Sequence, residues 1–250
     1  MSRQQPRISF EYFPPKTEQG KDKLINETTP ALNALSPEFF SVTYGAGGST
    51  RDTTLGVVST IREAGIDVAP HLSFGGDNED TVAQLLDTYR ERGIKRLVAL
   101  RGDMPSGMGG ARQLVYANQL VAFIRERTGD HFKIEVAAYP EIHPEASSYD
   151  SDVQYLKGKL DAGANSAITQ YFYNVESYFY FLDQCAAAGI DKPIYAGIMP
   201  ITNYTNLSRF SRNCGAEIPR WICQRMESYG NDLESVRKFG IEVVTQLCQT

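Results

Sequence analysis

Two hydrophobic rhythms alternate along the chain. Short apolar runs occupy Arg7–Phe13, Phe39–Tyr44, Val68–Ser73, Arg96–Leu100, Lys133–Tyr139, Ser166–Tyr171 and Ile194–Ile198. They are often β-branched, as strands buried on both faces are. Between them lie stretches with apolar residues at helical spacing. In Asp80–Arg92, for example, Val82, Leu85, Leu86 and Tyr89 form one stripe. Asn231–Gln249 reads as a closing helix. The helix ends repeat a signature: Ala64-Gly65-Ile66, Arg92-Gly93-Ile94, Ala162-Gly163-Ala164 and Ala188-Gly189-Ile190. Glycine there supplies the left-handed residue that closes a helix before the next strand. Such repetition, roughly every 30 residues, predicts successive βα units. No linker or low-complexity tract interrupts them, so residues 1–250 read as one domain.

Parallel βα units build either a doubly wound sheet or a closed barrel. A dinucleotide-binding sheet would usually carry GxGxxG after an early strand; neither that motif nor a phosphate-binding Walker A motif is present. In a barrel the chemistry sits at the C-terminal ends of the strands. Those ends read Glu11-Tyr12-Phe13-Pro14-Pro15, Thr43-Tyr44-Gly45-Ala46-Gly47-Gly48, Pro70-His71, Arg101-Gly102-Asp103, Tyr139-Pro140-Glu141-Ile142-His143, Thr169-Gln170 and Pro200-Ile201-Thr202-Asn203. Groups that ionise or hydrogen-bond cluster there, while the strand interiors are apolar. The fold class predicted is α/β, a (β/α)8 TIM-type barrel. Glu11 and His71 are the most informative members, because a plain loop would more cheaply use Ser, Asn or Gly. Gly45 to Gly48 lets backbone approach a bulky or phosphorylated group, although an ordinary turn uses the same residues. Asp152, Lys157 and Lys159 open the helix after the fifth strand, near His143. Lysines there suit a diphosphate; spacing alone fits a solvated helix face equally well.

Composition narrows the function classes. The net charge is −5 with both signs interspersed and no basic block, which argues against nucleic acid as a partner. No run of 18 apolar residues predicts a membrane span, and MSRQQPRIS lacks the apolar core of a secretory signal. Cys185, Cys214, Cys223 and Cys248 form no CxxC pair, and the three histidines are scattered. They read as reduced thiols in a cytoplasmic protein with no metal site.

FEYFPPK, SVTYGAGGSTRD, APHLS, ALRGDMP, VAAYPEIHPEA, DAGAN followed by AITQYFY, and GIMPITNY occur in order from about residue 8 to about residue 248. Together they resemble the bacterial, FAD-dependent methylenetetrahydrofolate reductases. The resemblance implies a barrel flavoenzyme of one-carbon metabolism with non-covalent FAD. It implies reduction of 5,10-methylenetetrahydrofolate to 5-methyltetrahydrofolate for methionine biosynthesis. Electrons come from NADH or NADPH by ping-pong kinetics, and the protein is a homo-oligomer. Glu11 matches the general acid that protonates the bridging nitrogen and opens the five-membered ring, so that hydride can reach the methylene carbon. That role needs a carboxyl holding its proton near neutral pH. Burial among Phe10, Tyr12, Phe13 and Pro14 would raise its pKa, and an elevated value is expected. Asp103 matches an aspartate near flavin and pterin, Gln170 a glutamine touching folate and nicotinamide, and Phe210 a phenylalanine packing on the second substrate. Around FAD the family pattern places Thr43, Tyr44, Ala46, His71, Arg101, Gly102, Asp103, Tyr116, Ala117, Tyr139, His143, Ala146, Asp152 and Lys159. Thr43 alternatively touches the nicotinamide donor.

Three departures stand out. Tyr155 and Gly158 replace Asn and Arg of some members, which bears on the adenosine side. Asn206 replaces a folate-contacting glutamine. After Asn231–Gln249 the family's eighth strand does not follow, so an eighth strand is expected to be missing from this chain: truncation is the favoured reading, with a seven-stranded or a partner-completed barrel as the alternatives. The regulatory domain of eukaryotic relatives does not follow either, so no adenosylmethionine control is expected. Two other readings stay open: a flavin-free reductase of the same family, and a catalytically impaired homologue serving as a binding or assembly subunit. An aldolase-like barrel would need a Schiff-base lysine inside a strand, and Lys133 only opens one.

Overall fold

The computed structural model describes residues 6–44, 51–74, 78–101 and 116–250. Two compact units emerge: Met1–Val136 with Ala162–Asn165, and Ala137–Asp161 with Ser166–Thr250.

The first unit begins with β1 (Phe10–Tyr12) and α1 (Glu18–Lys23). A π-helical turn, Leu24–Thr28, continues into α2 (Thr29–Asn33). β2 (Phe40–Val42), α3 (Arg51–Glu63), β3 (Val68–Leu72), α4 (Glu79–Glu91), β4 (Arg96–Ala99), α5 (Ala117–Thr128) and the start of β5 (Lys133–Ala138) follow. Local chemistry sets the ends. Asn78 Oδ1 accepts from the Thr81 N–H at 2.8 Å and so caps α4. Pro14 and Pro15 lack the N–H that would extend β1, so the strand stops short of Phe13. The stripe expected on α4 is buried: Val82, Leu85, Leu86 and Tyr89 all face the core. Each such side chain contributes roughly 1.5–3 kcal/mol by leaving water. At the N-terminal end of the strands, Arg96 lies 4.1 Å over the Phe39 ring. Its guanidinium pairs with the fully buried Glu135 and reaches Glu38 at 3.7 Å. That pairing is what lets a carboxylate sit inside an apolar layer.

The second unit holds the end of β5, α6 (Tyr149–Asp161), β6 (Ser166–Tyr171), α7 (Val175–Ala187), β7 (Ile194–Gly197), α8 (Tyr204–Cys214), α9 (Arg220–Tyr229) and α10 (Leu233–Gln249). Ile201, Leu207, Ile222, Met226, Val236 and Val243 form its helical core. Asp232 caps α10, accepting from the Ser235 N–H at 3.1 Å.

The strand order is β1-β2-β3-β4-β5-β6-β7, and β1 to β5 and β6 with β7 pair in parallel. Seven parallel strands alternating with helices are the (β/α)8 architecture short of one strand among the described residues. All four glycines expected to close helices have positive φ, from 71° to 116°. Helices α1, α2, α8 and α9 were not marked by the sequence pattern.

Candidate active site

In the first unit the site is built from strand alternation. Phe10 and Tyr12 turn their rings to Phe40, with centroids 5.8 and 5.3 Å away. Successive residues of a strand point to opposite faces, so Glu11 faces the other way. Its register partner is Ser41. Ser41 pairs in turn with Ala69, two residues before His71 and on the same face. Three neighbouring strands therefore bring Glu11, Ser41 and His71 together. His71 Nε2 lies 3.2 Å from Glu11 Oε2, and Ser41 Oγ donates to that oxygen at 3.4 Å. The histidine contact is close but too bent to count as a hydrogen bond, so Nε2 is a buried polar atom without an aligned acceptor. The two side chains differ sharply in exposure, 7% for His71 and 47% for Glu11.

This geometry corrects the expected elevation of the Glu11 pKa. Burial does push the carboxyl upward and is the largest single influence. The close approach and charge of His71, with the Ser41 hydroxyl, outweigh it and leave Glu11 below the usual glutamate value. The expected aromatic enclosure is also absent. Phe10 and Tyr12 sit on the opposite face, and Phe13 is 60% exposed.

Other expected residues in this unit cluster at the same strand ends. The Thr43 N–H donates to the Tyr12 carbonyl at 2.9 Å. Tyr44 follows it, and Arg101 follows β4, both half-buried. Tyr116, exposed, donates its N–H to Gln119 Oε1 at 2.8 Å and opens α5, where Ala117 is the first residue. Ala46, Gly102 and Asp103 lie outside the described residues, as does the rest of the Gly45 to Gly48 stretch.

In the second unit a cluster forms around His143. Its ring meets Tyr139 edge-on with centroids 4.5 Å apart. The Glu145 N–H donates to His143 Nδ1 at 3.0 Å, so a neutral ring carries its proton on Nε2. The His143 N–H donates to Asp152 Oδ2 at 2.8 Å, and the Ala146 N–H donates to the His143 carbonyl at 2.9 Å. Asp152 sits in the first turn of α6, and burial pushes its carboxyl above the usual range. Lys159 points inward from α6 and donates to the Ala137 carbonyl at 2.5 Å. Burial lowers its pKa to about 8, against a partial offset from Asp152. Lys157, two residues earlier, pairs with Asp161 at 2.6 Å on the solvent side. The two lysines, expected to open this helix, lie toward its C-terminal end instead, Lys159 in the last turn, and only Lys159 faces inward.

Gln170 turns its Oε1 back onto the Tyr171 N–H at 3.0 Å. Tyr171 stacks on Phe210 at 5.9 Å and 14°. Asn206 is exposed in the first turn of α8, its N–H accepted by Asn203 Oδ1 at 2.9 Å. Two features escaped the sequence reading. Ile142 holds φ at 71°, a strained value for a β-branched residue. Beside it, Glu141 Oε2 accepts from the Glu217 N–H at 2.7 Å, and burial raises the Glu141 pKa. A strained backbone next to a strand end was a usable signal only once φ was known.

A family model described as "Methylenetetrahydrofolate reductase" matches residues 1–250. The 5,10-methylenetetrahydrofolate reductase of Salmonella typhimurium is 41% identical over 97% of this chain and 81% of its own length. That of Escherichia coli is 40% identical over the same shares. A rice protein named probable methylenetetrahydrofolate reductase (NADH) is 38% identical over 97% of this chain and 43% of its own. Among solved structures, a Clostridium thermocellum protein described as binding two copies of 5-methyl-5,6,7,8-tetrahydrofolic acid superposes with a TM-score of 0.70 at 17% identity, covering 99% of this chain and 84% of that one. At such identity the likeness is one of fold. The relatives at 40% identity and the full-length model go further: this chain belongs to the methylenetetrahydrofolate reductase family.

Proposed function

We propose that this chain is an oxidoreductase, one catalytic domain over residues 1–250, that reduces 5,10-methylenetetrahydrofolate to 5-methyltetrahydrofolate. It uses non-covalent FAD and NADH or NADPH in ping-pong turnover, as a cytoplasmic homo-oligomer. The observation that carries the reading is Glu11. In a chain matching this family along its whole length, its carboxyl stands at a strand end, half open to water and backed by a buried imidazole.

The residues suit a flavin dinucleotide. Lys159 is a cation that burial has left short of compensation, as an anionic phosphate would supply it. Tyr139 and His143 offer ring surfaces beside it. In this proposal Tyr139, His143, Ala146, Asp152 and Lys159 hold the cofactor in the second unit. Thr43, Tyr44, His71, Arg101, Tyr116 and Ala117 serve it in the first, with Ala46, Gly102 and Asp103 in the segments not described. A bound flavin supplies hydride-transfer chemistry.

The chain's own residues supply the proton. Glu11 gives it to the bridging nitrogen of the folate, which opens the five-membered ring and leaves the methylene carbon electrophilic. Folate settling over the half-exposed carboxyl removes water from it and raises its pKa toward the value an acid needs. Gln170, Asn206 and Phe210 orient the substrates, with Asp103 as the second carboxyl. No described helix is long and apolar enough to cross a membrane.

The test is spectroscopic. Purified protein should show flavin absorption, bleach on adding NADH or NADPH, and regain colour on adding methylenetetrahydrofolate. A colourless protein that still turns over would favour the flavin-free alternative. A yellow protein with no folate-dependent re-oxidation would defeat the proposal.

A further inference from the structure

We propose that His71 is the proton-holding partner of Glu11: its buried Nε2–H hands a proton to Glu11 Oε2 when that carboxyl gives one to the substrate nitrogen. The inference rests on the reductase reading above and adds a positioning residue to it.

Three observations converge. The Nε2 to Oε2 distance is 3.2 Å, and the imidazole nitrogen has no aligned acceptor elsewhere among the described residues. A small rotation of the carboxyl about its terminal torsion, which is broad, aligns the contact. Second, exposure is graded along the pair. His71 is buried on the face it shares with Ala69, while the Glu11 side chain is half-exposed. The proton lost to a substrate is thus replaceable from behind without water crossing the reacting face. Third, a structural strand would fill this interior position with an apolar residue. A buried imidazole costs desolvation that only a polar partner repays.

Few other described groups face the pair. β2 offers the Ser41 hydroxyl. β4 offers Val98, the apolar register partner of His71. Glu135, in register with Val98 on β5, is paired with Arg96, which also reaches Glu38, and Arg7 pairs with Glu38 nearer the strand starts.

The step balances. The Glu11 O–H bond breaks as an N–H bond forms on the folate nitrogen, whose lone pair takes the proton. The step requires His71 to carry both ring protons: its Nε2–H bond then breaks as a new Oε2–H bond forms on Glu11, and the neutral ring left behind takes up a proton from solvent. No electrons change hands.

The test uses the full-length chain and His71→Gln, with His71→Asn in its place should the first not fold. The ¹³C signal of the Glu11 carboxyl is followed against pH without cofactor. Burial stays while the histidine's contribution goes, so the Glu11 ionisation constant should weaken about tenfold. In flavin-saturated enzyme, oxidation of the reduced form by methylenetetrahydrofolate should slow about 10- to 100-fold with an altered pH profile. Reduction by NADH, compared at equal flavin occupancy, reads the loss of any cofactor contact by itself and should fall clearly less than folate-dependent oxidation, since it draws no proton from Glu11. An unmoved Glu11 titration overturns the inference. So does an equal loss in both half-reactions that tracks flavin retention, because His71 would then only hold the cofactor. A wild-type chain that reduces no methylenetetrahydrofolate defeats the reductase reading instead, while the carboxyl titration still decides the pair.

Discussion

Two clusters at strand ends, one in each unit, treat buried charge in opposite ways. In the first, Glu11 meets His71 and Ser41, and the pairing draws its pKa below the ordinary value despite burial. In the second, burial wins each time: Lys159 is pulled down to about 8, and Asp152 and Glu141 are pushed up. The first arrangement answers its charge from within and favours the ionised carboxylate until a ligand excludes water from it. The second is short of counter-charge and suits a group that awaits a ligand. Polar groups at barrel strand ends are thus of two kinds, and their environment tells them apart before any ligand is seen.

The hardest blow to this contrast would come from Glu11→Gln. The amide keeps the shape but cannot donate an acidic proton. Folate reduction should fall by about 10²- to 10⁴-fold, the usual worth of a general acid. Flavin reduction by NADH should be nearly unchanged. Stopped-flow measurement of the two half-reactions separates them, and near-normal folate turnover would remove Glu11 from the chemistry.

Lys159→Met probes the other unit. The ammonium has a folded-state pKa near 8 against 10.5 for the free side chain. Between those values the unfolded chain binds more protons, so this group makes stability rise with pH across that window. Below it, holding the charge inside costs stability. The cofactor-free variant should therefore be more stable by roughly 1–3 kcal/mol at pH 7, less whatever the bare Ala137 carbonyl costs. The advantage should fade by about pH 10.5. FAD should bind about 10- to 100-fold more weakly, as expected for losing a charge-assisted contact to phosphate. Denaturation and flavin-fluorescence titrations read the two effects. A destabilised variant with unchanged affinity would make Lys159 an ordinary structural residue.

Gly215→Ala should have a smaller effect. Gly215 closes α8 at φ 76°, and a Cβ there would stand 2.8 Å from Pro144 Cγ. The methyl group strains both its own backbone and the turn carrying His143, for a loss of roughly 1–3 kcal/mol. Flavin affinity should weaken with it. Affinity that holds while the melting temperature drops would show that the turn is not what orders the His143 cluster.

The sequence carried some of this and hid the rest for physical reasons. Glu11 and His71 stood out because ionisable residues inside apolar runs are costly without a purpose. The direction of the Glu11 shift was hidden, since it depends on cross-strand register. A reading that places Glu11 among its sequence neighbours Phe10, Tyr12 and Phe13 puts it on the wrong face. Ser41 was invisible because serine is unremarkable in any strand. Lys157 and Lys159 are equivalent by composition, and only the rotation of α6 sends one to Asp161 and the other inward. Ile142 gave no signal, because backbone strain is a property of coordinates, and Glu141 was one ionisable strand-end residue among several until its bond to the Glu217 N–H was seen. The seven βα units, by contrast, were legible from periodicity and glycine placement. Those patterns are local, and nearest-neighbour packing of parallel strands follows from them.

The smallest effect belongs to Gly158→Ala, and its sign is the informative part. Gly158 lies inside α6, three residues before its end, with open space where a Cβ would stand. Its φ is not left-handed, so alanine is not strained there. Glycine in a helix interior costs about 1 kcal/mol relative to alanine through lost backbone freedom. The variant should therefore gain roughly 0.5–1 kcal/mol, visible as a shift in the denaturation midpoint. Gly158 is next to Lys159 and about one turn after Tyr155, and at Tyr155 and Gly158 this chain departs from some relatives on the proposed adenosine side. If the added methyl stabilises the chain and leaves FAD affinity alone, the cofactor does not approach α6 closely at this point, and Lys159 acts across a gap. If stability rises while affinity falls, the ligand needs the bare backbone at Gly158. The unmet charge of the second unit would then be matched to a closely packed adenosine side rather than to phosphate alone.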